Sequence, residues 1–258
     1  MSQEALERLK STYESVGWWV PAYLQLGFVK TLAKELERAT SPGKQRKILG
    51  SLLAVAYGPS HVAAMITHHY PESRVLKDQA RLILECAGAF YAGYVTAAVV
   101  AILPAIEASL RRVADLRGVS LSVASSQRSS QLIRRIMKLD TMRGLRGLDE
   151  RQVMLDSFRV FLEAHLYATT QTHHGRDELN RHKLLHGYVG GESLCTFDFY
   201  RALSALDLIC FFDSLETRSP SIFAPGPSEE SRRLADRFAA TVVLDRAFSS
   251  DSFAGPWR

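Results

Sequence analysis

Residues 73–118 read SRVLKDQARLILECAGAFYAGYVTAAVVAILPAIEASLRRVADLRG, and the helical character of the chain is clearest in this segment. Apolar side chains recur in it every three or four positions, which is the spacing of one buried face of an α-helix. The pattern predicts a long helical run in which Pro104 makes a kink or starts a new helix and Gly118 makes the C-terminal stop. The residues that carry the pattern include Val75, Leu76, Leu82, Ile83, Cys86, Phe90, Ile102, Ile106, Leu110 and Leu116.

The middle of this segment raises the question of a membrane span. No charged side chain occurs from Cys86 to Ile106, a run long enough to cross a bilayer. The run is rich in Ala, Gly and Tyr and contains Thr96 and Pro104, so its hydrophobicity is modest, and charged helical sequence continues on both sides. We therefore predict a buried central helix rather than a transmembrane one.

The same helical periodicity continues before and after this segment, with short breaks at Gly and Pro. No alternation of apolar and polar residues is long enough to predict a sheet. We therefore predict an all-α helical bundle. Its regions are an N-terminal helical region at residues 1–85, a central bundle at residues 86–216, and a linker with a C-terminal helix at residues 217–258.

Composition places the chain among folded globular proteins. Hydrophobic residues make up 47% of its 258 positions, which excludes disorder over most of its length. Lys and Arg exceed Asp and Glu by 32 to 27, giving a formal net charge of +5. Because the charges are interspersed rather than blocked, a polyanionic partner is permitted but not required.

Cysteine use and the N-terminus indicate the compartment. The three cysteines, Cys86, Cys195 and Cys210, are odd in number and lack metal-ligand or redox spacing, which is typical of reduced, buried thiols. The first residues, MSQEALERLK, have no apolar run behind a basic start, so no secretory signal is expected. We predict a soluble cytoplasmic protein that holds no cofactor.

The most specific chemistry lies in residues 180–187, NRHKLLHG. Because His182 and His186 lie four positions apart, they share one helix face and could bind a metal together with a third histidine. No acidic residue separates them as in the zinc-protease motif, and no cysteine lies near, so a metal protein is only an alternative. Five of the eight histidines fall in this part of the chain: His165, His173, His174, His182 and His186.

The second possible chemistry is metal-free cleavage of RNA by the neighbouring 2′-hydroxyl. Arg181 is a permanent cation whose planar fork suits a phosphodiester, and His186 carries an imidazole, which can exchange a proton with an oxygen. We predict a helix from about residue 176 to 186, on which these two side chains lie roughly 140° apart, unless a looser final turn relaxes this angle. The structural alternative is that Arg181 pairs with Asp177 or Glu178 while His186 satisfies carbonyls at the helix end.

Residues 180–187 resemble the Arg-x4-6-His motif of the HEPN superfamily (higher eukaryote and prokaryote nucleotide-binding domains), in the extended form NRHx(I/L)LHG. Upstream, residues 103–111, LPAIEASLR, resemble the LPxIExxxR helix of the same group. The resemblance covers about residues 86–216. It implies a four-helix up-and-down bundle, often a homodimer in which the motifs of two subunits face each other. It also implies metal-independent endoribonuclease activity, in toxin–antitoxin systems, phage defence or abortive infection, although some members are inactive modules for dimerisation or nucleotide binding.

The resemblance gives a role to each matching residue of the second motif. Arg181 would stabilise the scissile phosphate and His186 would handle the proton. His182 or Asn180 would assist. These roles follow from the resemblance alone.

Two further sets of charged residues bear on this site. In the first, the resemblance makes Glu107 an acidic partner that orients Arg181 or His186, unless Glu107 pairs with Arg111 one helical turn further on. The second is a basic stretch that could bind RNA phosphates. The alternative for this stretch is a solvated helix face, because no aromatic residues for base stacking are interleaved with it. Its members are Arg134, Arg135 and Lys138, followed by Arg143, Arg146 and Arg151.

The first function hypothesis is thus a HEPN-type ribonuclease whose partners are RNA, a second copy of the chain, and an antitoxin or other regulatory protein. The alternatives are a catalytically inactive helical module for dimerisation or nucleotide binding, and a histidine-rich metal-binding protein. The first two differ in whether Arg181 and His186 converge on an open, basic cleft or are buried in structural bonds.

Overall fold

The computed structural model describes residues 2–118, 135, 149–168, 179–186 and 194–250, with the side chains of the last helix described as far as residue 243. Every regular element within these residues is helical, so the predicted all-α helical bundle is confirmed. Two π-helical turns, Met65–His69 and Leu162–Leu166, continue α4 and α7, and short α and 3-10 turns occupy Tyr70–Glu72 and Lys77–Gln79. The helices are α1 (Gln3–Glu14), α2 (Leu26–Arg38), α3 (Pro42–Ala56), α4 (Pro59–Ala64), α5 (Ala80–Tyr91), α6 (Val95–Leu116), α7 (Asp149–Phe161), α8 (Arg181–Leu185), α9 (Thr196–Thr217) and α10 (Glu229–Ser250).

Helix α9 is the most deeply buried helix among those described. Residues 197–210 are buried on every face, as expected of a helix enclosed by its neighbours, and α9 packs against α6 and α3. Its buried acids are paired: Asp207 accepts a 2.6 Å hydrogen bond from Tyr70 Oη, and Asp213 accepts a 2.8 Å bond from Ser73 Oγ. Because an unpaired buried carboxylate is costly, these bonds fix the segment that precedes α5 on α9.

The helical run predicted for residues 73–118 is divided at a glycine rather than at a proline. α5 ends at Tyr91 and α6 begins at Val95, with Gly93 between them at φ 84°, a conformation that glycine adopts without steric cost. Pro104 lies inside α6 and does not start a new helix. Gly118, at φ 63°, follows the C-cap residue of α6, so the predicted C-terminal stop is confirmed.

The uncharged run from Cys86 to Ile106 is therefore shared between α5 and α6, which pack against each other. The single central helix expected from this run is two helices. Among the described helices, none alone has both the length and the hydropathy of a membrane span. One pair of helical segments has the required length and hydropathy when the two are taken together: α3 and the helical stretch that follows it. These two segments are bent by 52° relative to each other.

The N-terminal region shares its core with the rest of the chain. Helix α1 packs against α7, and α4 packs against α10. Trp19 is fully buried, and its ring centroid lies 4.3 Å from that of Phe161 and 5.2 Å from that of Phe158. Buried aromatic side chains of this size contribute heavily to core stability. The connected core extends from Leu6 to Phe238, so residues 1–85 contribute directly to the packing that holds α6 and α7 in place.

Residues 218–228 connect α9 to α10 without helix and are bound by two histidines of the π-helical turn after α4. His69 Nε2 donates to the carbonyl of Phe223 at 2.8 Å, and His68 Nε2 lies 2.9 Å from Ser228 Oγ. Burial lowers the pKa of His69, although its bond to the Phe223 carbonyl acts in the opposite direction. His69 is therefore held neutral near neutral pH, with its hydrogen on the nitrogen that faces the connecting segment.

Candidate active site

The motif helix α8 is short and begins at Arg181. Leu179 and Asn180 are not helical, and Asn180 has extended backbone angles of φ −104° and ψ 113°. Asn180 Oδ1 accepts a 3.0 Å hydrogen bond from the Lys183 amide, which makes Asn180 the N-cap residue. The helix predicted from about residue 176 is therefore wrong at its start, because an asparagine side chain competes for backbone amides and favours a cap over a helix interior.

The side-chain nitrogen of Asn180 anchors α8 to the end of α7. Nδ2 donates to the carbonyl of His165 at 3.0 Å and to that of Ala168 at 2.8 Å, and the Asn180 side chain is fully buried. His165 lies in the π-helical turn Leu162–Leu166, at a helix end where carbonyls lack intrahelical partners. Asn180 therefore uses its oxygen to start one helix and its nitrogen to satisfy the end of another.

Arg181 is joined to α6 by an ion pair with Glu107. Its Nη2 lies 2.7 Å from Glu107 Oε2, and the two side chains are 25% and 14% exposed. The other carboxylate oxygen, Oε1, accepts a 2.5 Å hydrogen bond from Arg111 Nη2, and the Arg111 side chain is 61% exposed. The sequence left open whether Glu107 contacts Arg181 or Arg111, and the carboxylate bridges both. Two cations and one anion leave a net positive charge at this point of the surface.

His182 and His186 form the other part of the motif. Their ring centroids lie 4.3 Å apart with the ring planes tilted by 55°, and both residues are exposed. His186 is the C-cap residue of α8, and its amide donates to the His182 carbonyl at 3.1 Å. The four-residue spacing therefore places His182 beside His186. Arg181 and His186 stand at opposite ends of α8, about 7.5 Å apart along the axis of an ideal helix.

Of the six basic residues that were predicted to contact RNA, the structure describes two, Arg135 and Arg151. Arg135 is helical and exposed. Arg151 is buried, with its guanidinium 5.6 Å from the centroid of the Phe212 ring, so its inclusion in a basic RNA track is wrong. The reason is that this face of α7 packs toward α9, where a cation lies against an aromatic ring instead of facing solvent. The positions outside the described residues are Arg134, Lys138, Arg143, Arg146, His173, His174 and Gly187.

The described residues do not assemble a metal centre. No group of three or more His, Cys, Asp or Glu side chains within them could hold an ion. His165, the described histidine nearest in sequence to the motif, has its ring stacked on Phe161 with centroids 5.9 Å apart. For a metal site, the described part of the chain therefore offers two neighbouring imidazoles, those of His182 and His186, and no third ligand beside them.

A small, mainly apolar cavity lies between α6, α7 and α9. Its free volume is about 30 Å³, which is enough for one or two water molecules and far too small for a nucleotide. The motif residues are not among those that line it, so this cavity is not part of the candidate site. The cavity is lined mainly by Val75, Leu110, Val113, Leu155, Phe158, Ile209 and Phe212.

Two features of the site were missed from the sequence. One is the pair of carbonyl partners of Asn180, and the other is the simultaneous contact of Glu107 with two arginines. Asn before a predicted helix is a recognised N-cap signal and could have placed the helix start correctly. Neither carbonyl partner has a sequence signal, because both belong to a different helix end.

Comparisons of this chain with protein-family models, with curated proteins and with solved structures found no match.

Proposed function

We propose that this protein is a metal-independent endoribonuclease of the HEPN type, which cleaves RNA by attack of a 2′-hydroxyl. The observation that carries the proposal is the ion pair between Arg181 and Glu107, at 2.7 Å. It joins the two segments that resemble HEPN motifs, residues 103–111 and 180–187, which are far apart in the chain. If the resemblance of either segment were due to chance, there would be no reason to expect this contact.

In the proposed reaction the 2′-oxygen forms a bond to phosphorus, and the bond between phosphorus and the 5′-oxygen breaks. His186 accepts the proton of the 2′-hydroxyl, and His182, whose ring lies 4.3 Å from that of His186, donates a proton to the leaving 5′-oxygen. Arg181 stabilises the negative charge that builds up on the phosphoryl oxygens. The products are a 2′,3′-cyclic phosphate and a 5′-hydroxyl.

Glu107 and Asn180 are positioning residues in this proposal. Glu107 holds the Arg181 guanidinium through Nη2, which leaves other N–H groups of the fork for phosphate oxygens. Asn180 is fully buried and bonded to backbone atoms, so it sets the start and direction of α8. This differs from the direct assistance that the motif resemblance implied for Asn180.

The proposal also includes a second copy of the chain and a regulator. His182 and His186 are exposed, and in the proposed homodimer, built on residues 86–216, the motifs of the two copies would face each other. An RNA substrate and a net charge of +5 fit a cytoplasmic enzyme of a toxin–antitoxin or phage-defence system, in which an antitoxin or other protein controls cleavage.

One observation favours a second candidate, a catalytically inactive helical module: Arg181 and His186 stand at opposite ends of the short helix α8 rather than beside each other. The ion pair between Arg181 and Glu107 would then dock α8 on α6 even if no substrate ever bound. In that case the two histidines would be surface residues without a catalytic role, and the protein would not cleave RNA.

Cleavage of RNA by purified protein separates the two candidates. We would incubate mixed cellular RNA with the protein in EDTA, beside Arg181→Ala and His186→Ala, and determine the chemistry of the new ends. Arg112→Ala is the matched control, because Arg112 is exposed and is the neighbour of Arg111 on the same helix. The proposal expects cleavage by the wild type and by the control, with losses of about 100-fold or more in the other two variants.

The ends and the folding of the variants complete this test. Ends that carry 2′,3′-cyclic phosphate support attack by the 2′-hydroxyl. Circular dichroism and thermal unfolding show whether each variant is folded. If the wild type and the variants are folded and none of them cleaves this RNA or a wider set of RNAs, the inactive module is favoured.

A further inference from the structure

We infer that Arg111 is a second phosphate-binding residue, and that Arg111 and Arg181, joined through Glu107, form a two-arginine clamp for a phosphodiester. The inference rests on the proposed function for the identity of the ligand as RNA. It goes beyond that proposal because it gives Arg111 a role other than pairing with Glu107.

The clamp is built on one carboxylate. Glu107 Oε1 accepts from Arg111 Nη2 at 2.5 Å, and Glu107 Oε2 contacts Arg181 Nη2 at 2.7 Å. Because each oxygen of a single carboxylate holds one guanidinium, the two cations are kept side by side. Glu107 is only 14% exposed, so this link is largely buried, and Arg111 is the more exposed of the two cations.

Each arginine of the clamp has N–H groups that do not contact Glu107. A guanidinium carries five N–H groups, and Arg111 and Arg181 each use Nη2 for Glu107. The Arg111 side chain is 61% exposed, whereas the Arg181 side chain is 25% exposed. A ligand would therefore meet Arg111 from the solvent side and reach Arg181 next to it.

The charge and shape of the clamp match a phosphodiester. Two guanidiniums and one carboxylate carry one net positive charge, and a phosphodiester carries one negative charge on two non-bridging oxygens. Planar forks bind such oxygens in a bidentate manner more readily than an ammonium group does. A phosphodiester placed across Arg111 and Arg181 would make the cluster electrically neutral.

A purely structural role for Arg111 makes a different prediction. A Glu and an Arg four positions apart on an exposed helix face stabilise the helix only slightly. Loss of Arg111 would then cause a small loss of stability and no specific change in ligand binding. Arg112 is exposed on the same helix, about 100° away from Arg111 around the axis. The Arg112→Ala variant therefore measures the effect of losing one positive charge while both arginines of the clamp are kept.

The test measures binding without cleavage. The probe is a short single-stranded RNA with 2′-O-methyl groups at every position, labelled for fluorescence anisotropy and titrated at several salt concentrations. The proteins are the wild type, Arg111→Ala, Arg111→Lys and Arg112→Ala, each checked for folding by thermal unfolding. A DNA of the same sequence is the second probe, because a clamp that contacts phosphate should also bind deoxyribose backbones.

We expect Arg111→Ala to weaken binding about tenfold and to reduce the slope of log affinity against log salt by about 0.7, the value for one contact to a single strand. Arg112→Ala should stay within about twofold of the wild type. Arg111→Lys should fall between the two, because it keeps the charge but loses the fork. Equal affinities and equal slopes for Arg111→Ala and Arg112→Ala would overturn the clamp, as would the absence of probe binding by the wild type.

The outcome for the clamp can be distinguished from the outcome for the ribonuclease. If the wild type binds the probe through Arg111 but leaves unmodified RNA intact, the clamp stands as a phosphate site and the proposed activity fails. If the wild type cleaves RNA while the variants at Arg111 and Arg112 bind and cleave alike, the activity stands and the clamp fails.

Discussion

The buried side chain of Asn180 gives the sharpest stability prediction. If Asn180 were only an N-cap, Asn180→Asp would cost little, because Asp and Asn are about equally good at that position. In the structure, however, Nδ2 also donates to the carbonyls of His165 and Ala168, at 3.0 and 2.8 Å, and the side chain is fully buried. In Asn180→Asp a carboxylate oxygen would face both carbonyl oxygens instead.

The magnitude follows from these bonds. Asn180→Ala removes the cap, worth about 1 kcal/mol, and leaves two carbonyls short of a donor, at about 1–3 kcal/mol each if they remain buried. We expect a net loss of about 2–4 kcal/mol after local relaxation. Asn180→Asp keeps the cap but adds a buried carboxylate without a donor, so its loss should equal or exceed that of Asn180→Ala.

Urea unfolding at neutral pH measures both losses as changes in the free energy of unfolding. Ser41 provides a matched control, because it is the exposed N-cap of α3 and its Oγ accepts a single amide bond, from Lys44 at 3.4 Å. There we expect Ser41→Ala to cost about 1 kcal/mol and Ser41→Asp to cost almost nothing. If Asn180→Asp proves as stable as the wild type, the argument for an anchor between α7 and α8 is refuted.

Three further predictions follow from charges and burial. Glu107→Gln should lower kcat about tenfold or more, because Arg181 loses its orientation, while KM for RNA stays constant or falls, because the local positive charge rises; steady-state kinetics separates the two. Stability should decline as pH falls below the ordinary histidine value of about 6.5, because the folded pKa of His69 is lowered and the unfolded state then binds more protons. His69→Gln should make the unfolding free energy less dependent on pH in that range. A thiol reagent should modify Cys195 in the native protein before the other two cysteines, because Cys195 is exposed while Cys86 and Cys210 are buried.

The controls for these three predictions are simple. A kinetic change in Glu107→Gln that appears only as a higher KM would contradict a positioning role. A pH profile that is identical in the wild type and His69→Gln would show that other groups control acid stability. For the thiols, all three cysteines of the denatured protein should react with the reagent. The rate at Cys195 should increase with pH, because the thiolate is the reactive form. Partial desolvation of its sulfur, although the residue is exposed, and the nearby Asp198 raise the pKa of this thiol.

Sequence periodicity was sufficient for the fold class and for some helix ends. The repeat of apolar residues every three or four positions is a property of each segment alone, so the all-α bundle and the stop at Gly118 could be predicted. Pro104 shows the limit of such local signals. A proline inside a helix costs about 3 kcal/mol, yet Ile102, Leu103 and Ile106 are all at most 2% exposed. Burying each of them gains about 1.5–3 kcal/mol, which is enough to keep α6 continuous.

The residue types of the candidate site and the helical context of Arg181, His182 and His186 could be predicted without the fold. The contact of Glu107 with both Arg181 and Arg111, and the bonds from Asn180 to carbonyls at the end of α7, became visible only once the helices were packed together. A spacing within one helix follows from the geometry of that helix, whereas contacts between helices depend on how buried faces pack. That packing uses side chains from the whole chain, from α1 to α10, and no single segment contains it.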